Sequence, residues 1–386
     1  MSLTKHSNLN VATIGVGQGG SNLAISIANK FNSKSIGLIN LSTTDLNALI
    51  NAGGDIQNLH IGGRVDGAGK DREESLAVYS DENNRKAVKE FIWRTLDRKF
   101  DNDYPADILF ICYSTAGGTG SGIGPLLTAY VNSVDFRTRD GVPSRMPIVF
   151  GVAICPDSSE GIKNQQNTLE ALSQISTFSE KRLARYILVN NDIDVTASEE
   201  TTKHISINER VSANLYRYLA EIHTSRMGNL DRQDRIVALN YPGVHSFCSF
   251  DGPDNIQSPF ILPEGARVRG LYGEVVERTN TSTIDEIITT LGLQVDDKTI
   301  GYYEDTGEGT TPILHFSGYS NLKRVTERYQ NIVSQIKSKS ERAEKIDQTL
   351  GTGLTKIKSN KDWIDSTTKV STDANFSSLF DMINEE

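Results

Sequence analysis

Two glycine-rich segments in this sequence have the composition of anion-binding loops. The first is Gly15–Gly20 (GVGQGG) and the second is Ala116–Gly122 (AGGTGSG), and each lies between an apolar run and a helix-like run. Glycine lets backbone N–H groups approach an anion closely, and the first turn of a helix offers unpaired N–H groups with a partial positive charge. The two segments therefore predict loops that hold one polyphosphate from two sides.

The first segment also fits the GxGxxG pattern of dinucleotide-binding enzymes, so an NAD-type oxidoreductase is an alternative. Such an enzyme needs an acidic residue where the second strand ends, but Ile39–Ser42 contains none and the first acid is Asp45. It also has no use for the second glycine loop. The sequence has no Walker A motif, because the lysine after Gly69 is followed by aspartate. Triphosphate binding must therefore depend mainly on backbone amides.

The elements that must position these loops alternate between strands and helices in the first half of the chain. Apolar runs predict strands at Val11–Val16, Ser35–Leu41, Asp107–Tyr113, Pro147–Ile154 and Tyr186–Val189. Helices are predicted at Ser21–Phe31, Glu74–Asp97, Pro125–Val131 and, as one long helix, Ile205–Met227. Continuous apolar strands that alternate with helices indicate a parallel sheet covered on both faces, in which the strand-to-helix loops share one edge.

The remainder of the sequence predicts a smaller α+β domain and a polar tail. Strands are predicted at Ser246–Phe250, Arg267–Val276, Gln294–Tyr302 and Pro312–Gly318, with a helix at Ser282–Leu291. We therefore predict an α/β fold: a parallel-sheet nucleotide-binding domain, a long central helix, a smaller α+β domain and a flexible C-terminal tail. The predicted segments are, in that order, 1–203, 204–234 (with the loop that follows the helix), 235–330 and 331–386 (with a C-terminal helix).

Composition and charge argue against several other classes of protein. The 386 residues carry a net charge of −9 without a large basic patch in the body, so a direct nucleic-acid ligand is not expected. Three widely spaced cysteines form no CxxC pair, so neither a zinc site nor a disulfide framework is predicted. The sequence has no apolar leader and no run of about 18 apolar residues, so we expect a cytoplasmic protein without membrane contact.

At five places the sequence resembles the tubulin/FtsZ family. Ala116–Gly122 resembles the family signature GGGTGSG, with alanine in place of the first glycine. The other similar segments are Gly15–Asn22 for the first phosphate loop, Ile39–Leu46 for the second, Gly67–Arg72 for the third, and Asn229–Asp234 for the family pattern NxDxxD. The acids of the last segment also suit a solvated polar turn, but their position after both glycine loops and one long helix favours the family pattern. The resemblance extends from Asn10 to Ser320.

The resemblance implies GTP and GDP as ligands, bound with Mg²⁺, and gives roles to three loops. The first would hold the α- and β-phosphates, the signature loop the β- and γ-phosphates through N–H groups and hydroxyls, and the third would sense the γ-phosphate. The implied residues are Gly17, Gln18, Gly19, Gly20 and Asn22, then Ala116, Gly117, Gly118, Thr119, Gly120 and Ser121, then Gly67, Ala68 and Gly69. Lys70 and Arg72 are either further charge partners or parts of a solvated basic turn. No metal site built from protein ligands alone is predicted.

The resemblance also implies contacts to the sugar and the base. Glu160 stands where the family places a ribose-binding glutamate, although the arginine that often follows four positions later is Asn164 here. Asn191 matches the asparagine that recognises guanine. On the long helix, His204 and Asn208 occupy the positions of a ring that stacks on the base and of a second polar contact. His204 equally suits a surface position near the start of a helix.

The NxDxxD segment implies an active site completed by a second copy of the chain. Its acids, Asp231 and Asp234, with the preceding Asn229, would reach the nucleotide of the neighbouring subunit and orient the attacking water. The implied function is a GTPase that polymerises head to tail into cytoskeletal filaments and hydrolyses GTP at the subunit contact. A structural filament protein that binds GTP without hydrolysing it is an alternative, and the two intact acids argue against it.

The polar tail and the sequences at Ser42–Leu46 and Gly67–Arg72 are most similar to the plasmid and phage branch of the family called TubZ, which segregates DNA. The implied role is therefore segregation or positioning of plasmid or phage DNA. Phe376–Ile383 carries apolar residues at helical spacing beside acids. This end of the chain is either disordered or a short helix that binds a partner, such as a DNA-bound adaptor protein.

Overall fold

The computed structural model describes residues 9–50, 56–62, 67–96, 106–133, 147–192, 200–220, 232–276, 279, 281–303 and 312–350. The chain divides into two units, Met1–Gln330 and Asn331–Glu386. In the second unit the described residues, 331–350, are helical. The apolar segment at Phe376–Ile383, for which a partner helix or disorder was expected, lies outside the described residues.

One mixed sheet contains all the strands of the described residues. The strands are β1 (Val11–Val16), β2 (Ile36–Asn40), β3 (Ile56–His60), β4 (Ile108–Ser114), β5 (Ile148–Cys155), β6 (Arg185–Asn190), β7 (Gly243–Phe250), β8 (Ile256–Gln257), β9 (Arg267–Val276), β10 (Gln294–Tyr303) and β11 (Ile313–Tyr319). Their order is β10-β9-β11-β7-β6-β5-β4-β1-β2-β3, with β8 paired to β7. From β3 to β7 all neighbours are parallel, whereas β11 runs antiparallel to β7 and β9. The predicted α/β fold with a large parallel sheet is confirmed.

Helices connect these strands on both sides of the parallel part. They are α1 (Gly17–Phe31), α2 (Thr43–Ile50), α3 (Arg72–Ser80), α4 (Glu82–Leu96), α5 (Thr119–Ser133), α6 (Ile162–Glu180), α7 (Glu200–Ala220), α8 (Arg232–Asn240), α9 (Thr281–Thr290) and α10 (Lys323–Leu350). A search of the described residues finds no helix with the length and apolar character needed to cross a membrane.

Several helices differ from the sequence-based expectation. The first two helices after glycine loops begin earlier than expected, at Gly17 and Thr119, so both start inside the loops themselves. The helix expected over Glu74–Asp97 is two helices, because the carboxylate of Asp81 accepts a hydrogen bond from the N–H of Asn84 and starts α4 separately. Five elements were not predicted from the sequence: α2, β3, α6, α8 and the two-residue strand β8.

Buried apolar runs explain why the central strands form. Every residue of β1 and of β2 is buried, as expected for strands covered on both faces. On α7, Ile207, Val211 and Leu215 form the predicted apolar stripe and join one core cluster with residues of α1, β4 and β5. Burial of each such aliphatic side chain contributes roughly 1.5–3 kcal/mol. The sheet continues without a break from β6 to β7, and the predicted domain boundaries stay a prediction.

Candidate functional site

Four loops meet at the carboxyl ends of β1, β2 and β4, the edge at which parallel sheets bind ligands. The first phosphate loop and the signature loop are in direct contact, because a Cβ atom placed on Gly17 would lie 3.2 Å from the backbone N of Gly120. Gly17 also has a φ of +71°, which favours glycine. A Cβ on Gly20 would overlap the carbonyl of Cys112, so glycine is required there for α1 to pack against β4. The glycines therefore bring the two predicted phosphate loops together.

The third phosphate loop (Gly67–Arg72) packs against the signature loop in the same way. A Cβ on Gly118 would lie 2.9 Å from the carbonyl oxygen of Asp71 and 3.0 Å from Cβ of Ala68. On the other side, a Cβ on Gly67 would lie 3.0 Å from Cβ of Ser42. Apart from the two chain neighbours of Gly117, no described residue has an atom within 4 Å of a Cβ placed there. Gly117 is thus a glycine of the signature loop whose small size is not required by protein packing.

Two helices point their N-termini into this group of loops. α1 begins at Gly17, and its N-cap residue, Val16, makes no side-chain capping hydrogen bond. α5 begins at Thr119, and neither helix has an acidic residue in its first turn. Both N-termini therefore offer backbone N–H groups and partial positive charge without an adjacent carboxylate on the same helix. This arrangement suits a polyphosphate.

A polar network connects the second loop to the signature loop. The side-chain oxygen of Asn40 accepts hydrogen bonds from the N–H of Ser42 at 3.2 Å and from the hydroxyl of Thr119 at 3.4 Å. The amide of Asn40 also donates to the carboxylate of Asp45 at 3.2 Å. Ser121 is fully buried, and its hydroxyl donates to the carbonyls of its own loop, including that of Gly118 at 3.2 Å. In this arrangement the Ser121 hydroxyl stabilises the loop.

The remaining residues implied for these loops have different degrees of exposure. Gln18 and Asn22 are exposed in the first two turns of α1, and Gly19 is half-buried beside Ser114. Ala116 is buried, whereas Gly69 and Lys70 are exposed. The loops thus present both backbone and a few side chains at this edge of the sheet.

Arg72 does not form a solvated basic turn. It is 3% exposed, its guanidinium donates to the carbonyl of Ser121, and it lies 3.0 Å from the carboxylate of Glu170. Burial lowers the pKa of Arg72, and burial raises the pKa of Glu170 even though Arg72 opposes that shift. Arg72 therefore connects α3, α5 and α6.

α6 contributes two residues that the sequence analysis missed, Asn167 and Glu170. The side-chain amide of Asn167 donates to backbone carbonyls of both the signature loop and the third glycine loop. The buried positions of α6 include several polar residues. Asn167 and Glu170 do not belong to an apolar stripe, so only their three-residue spacing on one helical face could have indicated a shared role.

Two of the residues implied for sugar and base recognition follow strand ends, Glu160 after β5 and Asn191 after β6. Both oxygens of the Glu160 carboxylate are hydrogen-bonded, one to the N–H of Asp157 at 3.1 Å and one to the amide of Asn164 at 2.6 Å. Asn191 is 4% exposed after the end of β6. Asn208 is half-buried on α7. His204 lies in α7, but its side chain is outside the described residues.

α8 lies at the opposite end of the strands. A cavity of about 90 Å³ is lined by Ile236, Leu239 and Asn240 of α8 and by Leu9, Asp107, Ile108 and Ile148, which stand at the starts of β1, β4 and β5. Asp234, half-buried in the first turn of α8, belongs to this end. β4 has seven residues, so the two ends are separated by about 20 Å. Asn229 and Asp231 lie outside the described residues.

Arg235 holds α8 against its neighbours. It is 4% exposed, and its guanidinium donates to the carbonyl of Tyr218 on α7 and pairs with the carboxylate of Glu274 on β9. Removing one partner of a buried ion pair leaves an uncompensated charge and costs about 3–5 kcal/mol. The helix that carries Asp234 is therefore fixed to both α7 and the sheet.

Comparisons with known proteins agree with this geometry. Residues 10–193 match the Tubulin/FtsZ family, GTPase domain. No curated protein matches the chain. Among solved structures, TubZ of Clostridium botulinum phage c-st, with its C-terminal tail truncated, is similar with a TM-score of 0.65 and 16% identity, covering 86% of this chain and 100% of that one.

Two further solved structures share the fold. A GTPγS-form protofilament of TubZ from Bacillus thuringiensis serovar israelensis has a TM-score of 0.65 and 18% identity, covering 89% of this chain and 95% of that one. A GTPγS-bound protofilament of CetZ2 from Haloferax volcanii has a TM-score of 0.62 and 18% identity, covering 85% and 100%. Residues 10–193 therefore match the GTPase domain of the Tubulin/FtsZ family, and the chain shares the fold of the TubZ and CetZ structures.

Proposed function

We propose that this chain polymerises head to tail with GTP bound and hydrolyses the GTP at the contact between two subunits. One observation carries the proposal: the phosphate loops follow the carboxyl ends of β1 and β4, whereas α8 with Asp234 lies at their amino ends. A separation of about 20 Å prevents Asp234 from reaching the nucleotide of its own chain. A second copy stacked end to end brings its α8 to that nucleotide. Such an asymmetric contact repeats and builds a filament.

In this proposal the triphosphate is bound mainly by backbone N–H groups at the N-termini of α1 and α5. Gly17–Gly20 contacts the α- and β-phosphates, Ala116–Ser121 the β- and γ-phosphates, and Gly67–Gly69 the γ-phosphate. Glu160 contacts the ribose, and Asn191, His204 and Asn208 contact the guanine. The position of Glu160 after β5 supports the ribose contact, and the position of the buried Asn191 after β6 supports the guanine contact.

Mg²⁺ fits this site only together with the triphosphate. The described residues contain no group of three or more histidine, cysteine, aspartate or glutamate side chains that could hold a metal ion alone. Mg²⁺ typically binds phosphate oxygens together with one or two protein oxygens and water, and it offsets the negative charge of the phosphates when bound. The Thr119 hydroxyl and the Asp45 carboxylate are oxygens available at this corner.

Catalysis in the proposal belongs to Asp231 and Asp234 of the neighbouring subunit, with Asn229 beside them. Their carboxylates orient the attacking water and accept its proton as the bond to the γ-phosphate forms. Phosphoryl transfer depends mostly on positioning and charge stabilisation, so supplying these groups in trans changes the rate by roughly 10²–10⁴. Val237 of α8, which is 43% exposed, supports a contact at this end of the molecule.

Hydrolysis then sets the lifetime of the polymer, since GTP favours the contact and GDP weakens it. The TubZ and CetZ2 structures are described as protofilaments, which supports polymerisation of this chain as well. We further propose, from the resemblance to TubZ, that the filament moves or positions plasmid or phage DNA through an adaptor protein bound at the tail. An NAD-type oxidoreductase is the alternative, and equilibrium binding of GTP and NAD separates the two.

The test compares the wild type with Asp234→Ala by pelleting and electron microscopy, using GTP, a slowly hydrolysed analogue and GDP. We expect Asp234→Ala to form long, stable filaments with GTP and to release phosphate at least about a hundred times more slowly. The matched control is Asp254→Ala, an exposed aspartate outside α8, which should behave like the wild type. Normal hydrolysis by Asp234→Ala would contradict the catalytic assignment.

A concentration series tests trans catalysis separately. If the acids act across a subunit contact, the rate of GTP hydrolysis per molecule rises with protein concentration until all subunits are in filaments. A constant rate per molecule would indicate a self-sufficient monomer. Tight GTP binding without measurable turnover at any concentration would instead favour the structural filament that does not hydrolyse GTP.

A further inference from the structure

We propose that Asn167 is a positioning residue that locks the third glycine loop to the signature loop and thereby sets the preference for a triphosphate over a diphosphate. This inference rests on the proposed function. Asn167 lies on α6 and contacts backbone carbonyls of both loops. The family resemblance gives this residue no role.

The geometry of Asn167 joins two loops through one amide group. Its Nδ2 atom lies 3.1 Å from the carbonyl oxygen of Lys70, 3.0 Å from that of Ala116 and 3.3 Å from that of Gly117. The residue is 5% exposed. An amide nitrogen has two N–H groups, so at least one of them is shared between two carbonyls. No carboxylate or apolar side chain of this size can make these contacts.

A second connection lies one turn further along the same face of α6. Glu170 pairs with Arg72, and Arg72 donates to the carbonyl of Ser121. The hydroxyl groups of Thr168 and Thr115 lie 3.0 Å apart between these two connections. Asn167 and Glu170 together, here called the α6 clamp, therefore hold both loops at fixed positions relative to one helix.

The third loop depends on such external contacts because its own conformation is unfavourable. Gly67, Gly69 and Lys70 all have positive φ angles, of 75°, 53° and 64°. For Lys70, a residue with a side chain, the left-handed conformation is sterically unfavourable. The hydrogen bond from Asn167 to the Lys70 carbonyl acts at the most strained position of the loop.

This dependence predicts an unequal effect on the two nucleotides. Under the proposed function, only the third loop and part of the signature loop contact the γ-phosphate, whereas the first loop also holds GDP. Without Asn167, the third loop is free to leave the position in which it meets the γ-phosphate. A misplacement of about 1 Å is enough to lose most of a positioned contact. GTP binding should therefore weaken much more than GDP binding.

The experiment measures dissociation constants for fluorescent GDP and for a slowly hydrolysed GTP analogue, at protein concentrations below the onset of polymerisation. For Asn167→Asp we expect the GTP-analogue affinity to fall by at least about tenfold and the GDP affinity to change by less than about threefold. Asn167→Ala removes the same donors without adding charge and should shift the ratio in the same direction. If Asn167→Asp does not fold, the ratio for Asn167→Ala decides.

Asn132→Asp is the matched control. The Asn132 amide also donates to backbone carbonyls, of Thr128 at 2.9 Å and of Val149 at 3.4 Å, but it lies on α5 away from the glycine loops. Its thermal stability is free to change, while its ratio of GTP-analogue to GDP affinity should stay at the wild-type value.

Two outcomes overturn the proposal and differ in meaning. If both Asn167 variants melt earlier but keep the wild-type affinity ratio, Asn167 has only a structural role and the proposed function survives. If the wild type itself binds neither nucleotide, the proposed function fails and the inference fails with it.

Discussion

Two buried histidines, His245 on β7 and His315 on β11, form a hydrogen-bonded chain. Nε2 of His245 lies 2.7 Å from the carbonyl oxygen of Tyr241, which only accepts, so this nitrogen carries the proton. Nδ1 of His245 then accepts from Nε2–H of His315 at 2.9 Å, and Nδ1 of His315 accepts from the hydroxyl of Tyr218 at 2.8 Å. Every ring nitrogen is satisfied while both imidazoles are neutral. A second proton on Nδ1 of His245 would face the N–H of His315, and burial away from water disfavours the charged form of both rings.

We expect the protein to lose stability below about pH 6.5 because of this pair. Burial lowers the pKa of His245 to about 3 and that of His315 well below its ordinary value of 6.5. At a pH between these lowered pKa values of the folded protein and the ordinary value of 6.5, the unfolded chain binds protons that the folded chain does not. The free energy of unfolding therefore falls as the pH is lowered, by up to about 2.7 kcal/mol per pH unit for two histidines. Urea unfolding between about pH 7.5 and pH 5 measures this slope.

The double variant His245→Gln with His315→Gln is the control for this titration. Glutamine keeps one donor and one acceptor on each side chain but does not ionise in this range. Its free energy of unfolding should depend much less on pH, whatever its absolute stability. A slope as steep as that of the wild type would show that other groups cause the acid sensitivity.

At the scale of elements, most of the strands could be predicted from the sequence, but not β3, and the helices could be predicted only in part. β1, β4 and β5 are nearly continuous apolar runs because both faces of a parallel sheet are covered. α6 was missed because the buried face of its first half is polar, with Asn164 and Gln165, and an apolar stripe begins only at Ala171. The starts of α1 and α5 were placed too late, because glycine is a poor helix former and hides a helix that begins in a loop.

The aspartate before α3 provides a prediction about a helix end. One carboxylate oxygen of Asp71 accepts from the N–H groups of Glu73 at 3.0 Å and Glu74 at 3.3 Å. Because Asp71 also contacts Gly118, its cap fixes the third glycine loop as well as the helix. We expect Asp71→Ala to lower the free energy of unfolding by about 1 kcal/mol and to weaken binding of a GTP analogue. Chemical denaturation and nucleotide titration measure the two effects.

Asp81→Ala is a matched comparison for that substitution. Asp81 accepts from the N–H of Asn84 at 3.1 Å at the start of α4, away from the glycine loops. It should lose a similar amount of stability while nucleotide binding stays unchanged. Equal loss of nucleotide affinity in both variants would mean that the effect comes from general destabilisation, and the role given to Asp71 would be wrong.

At the scale of the whole molecule, the glycine loops lie at the carboxyl ends of the parallel strands and α8 lies at their amino ends. The positions of both glycine loops were predictable, because strand-to-helix loops of a parallel sheet share one edge. The opposite position of α8 was not predictable, since it depends on the way α8 packs beneath β1, β4 and β5. The clamp residue Asn167 was also invisible, because its partners are backbone carbonyls, which leave no trace in side-chain patterns.

If catalysis requires two copies of the chain, two defective variants should restore each other. Gly117→Ala is suited to remove nucleotide binding without unfolding. Its Cβ would clash with none of the described residues but would occupy the proposed phosphate space. Asp234→Ala keeps the phosphate loops and lacks the acid. An equimolar mixture should hydrolyse GTP at up to about a quarter of the contacts, where an intact nucleotide site meets an intact α8. Phosphate release measures this recovery. As a control, Asp234→Ala mixed with the variant that carries both substitutions should show no recovery. If the mixture of the two single variants does not recover hydrolysis, catalysis in trans is contradicted.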